Sequence, residues 1–385
     1  MIVNFSRKSK FGSLLVATLL CSAIGFTPIQ AQDESFLVDQ NYSTSSRIIS
    51  PSWYQSGPKY WDELRIDEIK WNDCVHKQGR YAIRYSKPNI EKTKSLYPDL
   101  KDITVNLEND QLITDAVIQN ILSLAPQTLT IVRGTVDELI KDDSILNNEN
   151  LEKIKFLNFV NVSNFTSLLK HKPIVDKIQS LQIAASTLPS ELSQNTILSD
   201  ITVNPTFGGF TLKEEDLKGK TIEHFSIQNP NGELSFAKIL PLSKQADSLK
   251  TLKIRVGKIE EDDNSIKEFF DNLKNTKKLE VLEVSADKIT SKVLTSALTN
   301  LIAQNPDLRS ISLRTGCDEG GWKELSKSLG QLKKIEEIIF NQAQVTNTTI
   351  YALDSFFKNN DGLRVISLEG NPLDGKGVKS LFSSL

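Results

Sequence analysis

Leu363-Arg364-Val365-Ile366-Ser367-Leu368-Glu369-Gly370-Asn371-Pro372-Leu373 places apolar residues at its first, fourth, sixth and eleventh positions and Asn at its ninth. Gly377 and Leu381 follow. The spacing reads as a short strand with its approach, because alternate residues of a strand point to opposite faces. Leu363, Ile366 and Leu368 then point inward, while Ser367 points away. Asn371 is expected to satisfy backbone groups in the tight turn that follows. Leu373 and Leu381 close the core from the far side. A single occurrence decides little, so the test is recurrence at a fixed period.

The pattern recurs along most of the chain. Leu100-Ile103-Val105, Leu129-Ile131 with Val136, Ile154-Leu157-Phe159 and Ile178-Leu181-Ile183 with Leu188 come first. Leu198-Ile201-Val203 and Ile222-Phe225-Ile227 are weaker copies. Leu249-Leu252-Ile254, Leu279-Leu282-Val284, Leu308-Ile311-Leu313 and Ile335-Ile338-Phe340 lead back to the opening stretch. The last five copies start at Leu249, Leu279, Leu308, Ile335 and Leu363, which are 30, 29, 27 and 28 residues apart by their numbering. A unit of about 28 residues has room for a true helix beside its strand. Asn264–Asn275, Ser291–Gln304, Gly321–Lys334 and Thr348–Lys358 carry the apolar spacing such helices need. The copies between Ile154 and Ile222 are shorter and are expected to hold short or 3₁₀ helices.

These motifs resemble the ribonuclease-inhibitor-like class of leucine-rich repeat proteins, over roughly residues 100–385. The resemblance implies an α/β fold: a leucine-rich repeat solenoid, or horseshoe, with a parallel concave sheet and helices on the convex side. It also implies an asparagine ladder, which this chain mostly lacks. Gly134, Ser186, Thr206, Gly257, Asp287, Gly316 and Ala343 stand at the Asn position, so the turns need other support. Partners of this class usually dock on the concave face. The residues between core positions there run through Thr104, Thr130, Asn158, Gln182, Thr202 and Ser226, then Lys253, Glu283, Ser312, Ile339 and Ser367. The candidate partner-binding set is His224, Gln228, Lys253, Arg255, Glu283, Arg314, Asn341 and Glu369. Opposite charges on adjacent strands can equally pair with one another.

Outside the array the signals differ. Arg7, Lys8 and Lys10 precede an apolar run from Phe11 to Phe26, and Ala31 offers a small residue before a cut. This reads as a secretory signal peptide over residues 1–31, which implies a secreted or extracytoplasmic protein with no membrane span after cleavage. Residues 32–60 read as a poorly ordered leader. Residues 61–99, with Trp61 and Trp71, read as an aromatic cap over the first strand, which a repeat array requires at its ends. At the other end no polar cap follows Leu381, so this end is a candidate for self-association.

The 385 residues are 39% hydrophobic and 24% charged, with net charge −2. That balance argues against a nucleic-acid footprint, which needs clustered Lys and Arg. Cys74 and Cys317 are too far apart to form a disulfide framework. His76, His171 and His224 lack metal-ligand spacing, and no cofactor motif appears. Gly208-Gly209 and Gly320-Gly321 read as turns with positive φ. Glu260-Glu261-Asp262-Asp263 reads as a solvated charge run. The function expected is non-catalytic recognition of a protein or peptide. The alternatives are a structural surface spacer, or an enzymatic activity in the N-terminal segment.

Overall fold

The structure, a computed structural model, describes residues 2–4, 80–96, 101–108, 111–138, 149–205, 209–260, 262–273, 276–288, 292–314 and 317–385. The strands are β1 (Ile2–Asn4), β2 (Arg80–Arg84), β3 (Asp102–Asn106), β4 (Leu112–Ile113), β5 (Thr128–Val132) and β6 (Thr135–Val136). They continue as β7 (Phe156–Val160), β8 (Ile178–Ile183), β9 (Asp200–Val203), β10 (His224–Leu234) and β11 (Thr251–Ile259). The last are β12 (Val281–Lys288), β13 (Ser310–Arg314), β14 (Glu337–Ile339) and β15 (Val365–Ser367). From β2 to β15 all but β4 and β6 join one sheet, each beside the next in chain order and parallel to it. β1 completes this 13-stranded sheet. A parallel neighbour needs a crossover, and the described parts of the crossovers carry helices or 3₁₀ turns. The result is a solenoid of strand-plus-helix units.

One side of each strand feeds a continuous core. Val105, Ile131, Phe159, Leu181, Ile201, Phe225, Leu252, Leu282, Ile311, Ile338 and Ile366 are all buried at matching heights, with a register shift between β7 and β8. Two segments show how the helices complete it. Asp263–Leu273 buries Ile266, Phe269, Phe270 and Leu273, and Phe236 packs 5.0 Å from the Phe269 ring. Glu319–Leu329 buries Trp322, whose Nε1 donates to the Ala343 carbonyl at 2.9 Å. The helix expected over Gly321–Lys334 begins two residues earlier, capped by Asp318, and stops before Gly330. Leu332 and Ile335 are needed instead for the approach to β14. The segment expected as one helix over Thr348–Lys358 is two, Asn347–Ala352 and Asp354–Asn359. The middle repeats hold the 3₁₀ turns Phe165–Lys170 and Ser190–Gln194 and the four-residue helices Lys172–Val175 and Glu214–Leu217.

The missing asparagine ladder is replaced elsewhere. Asn371 does what its position predicts: Oδ1 accepts from the Ala343 and Val345 amides, and Nδ2 donates to the Phe340 and Leu368 carbonyls. On the opposite turn, entering the strands, a second set of buried side chains bridges repeats. Asn360 donates to Leu332 O and Phe356 O and accepts from Ile335 N. Asn305 donates to Leu301 O and accepts from Leu279 N. Asn195 makes four such bonds, to Val175 O, Ile178 O, Ile197 N and Leu198 N. Gly257 is there because nothing larger fits: a Cβ would sit 2.7 Å from the Pro230 carbonyl, where β10 bulges between Asn229 and Glu233.

Several expectations change. Gly320 and Gly321 lie in the first turn of a helix, where the Gly321 amide donates to Asp318 Oδ1, whereas Gly209 shows positive φ, at 78°. Asp262 is more than part of a solvated run, because its Oδ1 accepts from the Asn264 and Ser265 amides at a helix start. Cys317 is buried beside the Thr295 hydroxyl. The sheet also reaches one strand further than residue 100, since β2 pairs with β3 inside the segment expected as cap. Lys87–Leu96 of that segment is a helix, and Trp61, Trp71, Cys74 and His76 lie outside the described residues.

At the far end the open edge is covered. β1 runs antiparallel to β15, with Ile2 opposite Ser367, Val3 opposite Ile366 and Asn4 opposite Val365. A cut near Ala31 would remove this strand.

Candidate functional site

The helix-free face of the sheet is an array of side chains held at fixed heights by strand register. One row runs Thr202, Ser226, Lys253, Glu283, Ser312, Ile339, Ser367 across β9 to β15. The row above it runs Gln228, Arg255, Ser285, Arg314. The row below begins Asp200, His224, Thr251. The period-two reading therefore predicts which side chains share this face.

It does not predict how far each reaches the surface. Lys253 and Glu283 are only 5% and 7% exposed. Ser226 and Ser367 of the same row are buried as well, as are Thr130 and Asn158, which lie in register with Asp200 and His224. In a parallel ladder of long side chains, the flanking rows fold over the central one. Arg255 bridges to Glu283, with Nε at 2.8 Å and Nη2 at 2.5 Å from Oε1. The Lys253 amine lies beneath without a hydrogen-bond partner. Burial draws it down to about 8; Glu283 and Glu337 oppose that shift and Arg255 adds to it. Lys253 and Glu283 thus form the floor of the face and Arg255 its surface.

The remaining expected residues fall into a second group. Asn341 and Glu369 lie just past β14 and β15. Asn341 Oδ1 accepts from the Ser367 hydroxyl at 2.7 Å and the Glu369 amide at 2.8 Å. Arg314, opposite Ser285, donates to Gln342. Gln228 donates to the Ser226 hydroxyl at 3.4 Å. Much of this polar strip is therefore engaged within the chain.

His224 has the most distinctive surroundings. Its Nδ1 lies 2.8 Å from Thr251 Oγ1, and its Nε2 lies 3.8 Å from Asp200 Oδ1. Burial, and then the negative charge of Glu223, push the Asp200 carboxyl up to about 7; the Ser199 hydroxyl and Lys250 pull the other way. Burial also holds His224 below the usual imidazole value; Glu223 opposes this, and Lys250 and Lys253 reinforce it. Lys250 itself pairs with Glu223 at 2.8 Å. Asp200 was absent from the sequence candidates. The signal was present, since it occupies the strand position of Asp102 and His224.

Hydroxyl, imidazole and carboxylate in line invite comparison with a nucleophilic triad. The surroundings favour another use. The strand amides that would stabilise a developing oxyanion are spent in the parallel ladder on both sides of β10.

No family model matches the chain, and no curated protein matches it. Solved structures do. TLR13 in its complex with ssRNA13 is 16% identical, with TM-score 0.44, covering 74% of this chain and 40% of that one. A Bacteroides fragilis protein is 16% identical, with TM-score 0.32, covering 69% of this chain and 74% of that one. This chain spans less than half the length of the TLR13 chain.

Proposed function

We propose that the protein is an exported, non-catalytic recognition module of ribonuclease-inhibitor-like horseshoe form. On this reading the helix-free face of the sheet is concave and takes up a protein or peptide partner. The observation that carries the reading is the registered face itself. Side chains from β9 to β13 stand in fixed rows on a rigid backbone, and Arg255, Asp200 and His224 remain reachable above a buried floor. A preorganised face lowers the ordering cost of association. Its charges are mixed in sign, whereas nucleic-acid binding calls for a run of Lys and Arg. No helix among the described residues is long and apolar enough to cross a membrane.

The test is affinity capture from the medium of the native source with wild type, Arg255→Ala and Arg314→Ala, repeated with an excess of single-stranded RNA. Loss of one specific protein partner with Arg255→Ala, insensitive to RNA, is the expected result. Capture that survives both substitutions moves the site off this face, and competition by RNA changes the partner class. Export is tested separately, by sequencing the N-terminus of the secreted chain. Residue 32 at the start supports cleavage and implies that β15 loses β1 as its neighbour. An intact Met1 sinks the signal-peptide reading.

A further inference from the structure

We propose that Asp200 and His224 form a socket for a single cationic side chain, Lys or Arg, of a protein partner, and that seating it expels a proton. The inference rests on the reading that a protein docks on this sheet face, and it names the chemistry recognised there. Three observations carry it. First, the socket is accessible: the Asp200 and His224 side chains are 13% and 20% exposed, while the neighbouring Lys253 amine is sealed. Second, the carboxylate lacks a committed counter-charge. Its hydrogen bond from Ser199 is long, at 3.4 Å, and His224 stands off at 3.8 Å. Third, the charges around it are already spent or of the wrong sign. Just ahead of β10, Glu223 acts on it, already paired with Lys250 ahead of β11. Lys253 of β11 is buried, feels the charge of Glu283, and its own positive charge disfavours protonation of His224. β8 offers Ser180 opposite Asp200, which is neutral.

An ionised carboxylate that is desolvated and unpaired is costly, so the free socket holds its proton about half the time at neutrality. A guanidinium or ammonium brought by a partner supplies the missing charge. The balance is Asp200–COOH plus a partner cation giving the carboxylate–cation pair and one released proton. His224 reinforces the effect, because its protonation on acidification adds a positive charge that repels the incoming one. Affinity therefore rises with pH through the Asp200 transition, which lies at about 7.

The test uses the full chain and two probes, acetyl-Gly-Ser-Arg-Ser-Gly-amide and its Glu-for-Arg counterpart. Each is titrated at pH 8 and pH 5.5 while the imidazole signals and the strand amides are followed by NMR. With only three histidines in the chain, His224 is assigned from His224→Gln. The Arg peptide should shift the His224 signal and bind at least about tenfold more tightly at pH 8, as the ionised fraction of Asp200 dictates. Asp200→Asn should abolish that ratio. A ratio near one, preference for the Glu peptide, or unchanged pH dependence in Asp200→Asn overturns the socket. If the Arg peptide moves amides of β11 to β13 but leaves His224 silent, the docking face stands and the socket falls. If every strand amide is silent, both fall.

Discussion

The repeats from β7 to β9 and those from β11 to β15 share one unbroken parallel ladder yet have different backs. The first group is backed by 3₁₀ turns and four-residue helices, the second by helices such as Asp263–Leu273, Lys292–Gln304 and Glu319–Leu329. Neighbouring strands must lie about 4.8 Å apart, whereas packed helices need about 8–10 Å between axes. The mismatch between the two spacings is larger behind helix-backed repeats than behind 3₁₀-backed ones. The backing also decides what holds each turn. Where a helix feeds the strand, one Asn with two or three bonds suffices, as at Asn305 and Asn360. Where no full helix precedes it, Asn195 has to tie down four backbone groups.

The largest expected effect follows from that contrast. Asn195→Ala orphans two buried carbonyls and two amides and should cost about 3–5 kcal/mol, against about 2–3 kcal/mol for the half-buried Asn371→Ala. Urea unfolding of both variants measures this, and an Asn371 cost equal to or above that of Asn195 would break the comparison. Next, Gly257→Ala forces a Cβ onto the Pro230 carbonyl, so about 2–3 kcal/mol should be lost. Gly375→Ala, where a Cβ meets nothing within 4 Å, should stay within about 0.5 kcal/mol. Similar losses at the two sites would contradict the close approach of β10 and β11.

Lys253→Met should work in the opposite direction. The folded chain holds the Lys253 amine down at about 8, so its charged form opposes folding below that pH. The opposition fades as pH rises from 8 toward the ordinary lysine value. The variant should be more stable by about 1–3 kcal/mol at pH 7, with the gain shrinking above pH 8. A destabilised variant, or a gain independent of pH, would show that Lys253 is better compensated than its geometry indicates. The smallest effect belongs to exposed pairs in both regions, Lys172 with Asp176 and Lys358 with Asp354. Replacing either lysine by Ala should change stability by less than about 0.5 kcal/mol, measured by the same unfolding curves.

Much of the fold was legible because it is periodic. Leu363, Ile366 and Leu368 recur with a spacing that only a strand-plus-crossover unit satisfies, and period two then assigns Ser226, Lys253 and Glu283 to one face. The break at Leu353, the early stop at Gly330 and the bulge that reserves Gly257 were not legible. Each depends on what a neighbouring repeat places nearby, and periodicity within one repeat carries no such information. The site divides in the same way. His224, Lys253, Arg255 and Glu283 could be read as one cluster from register alone. Asp200 joins it by the same register, opposite His224, but its burial was not legible, because an aspartate beside core positions looks the same in sequence whether water reaches it or not.

The sequence by itself determined the repeat, the faces of the strands and the identity of the opening stretch as a strand with an Asn-braced turn. Tertiary structure decided that this strand is an edge covered by Ile2–Asn4. It also decided that Lys253 is a floor residue and that Asp200 titrates near neutrality. The reason is that patterning is a local, additive property of the chain, whereas desolvation and edge pairing depend on atoms brought together from distant repeats.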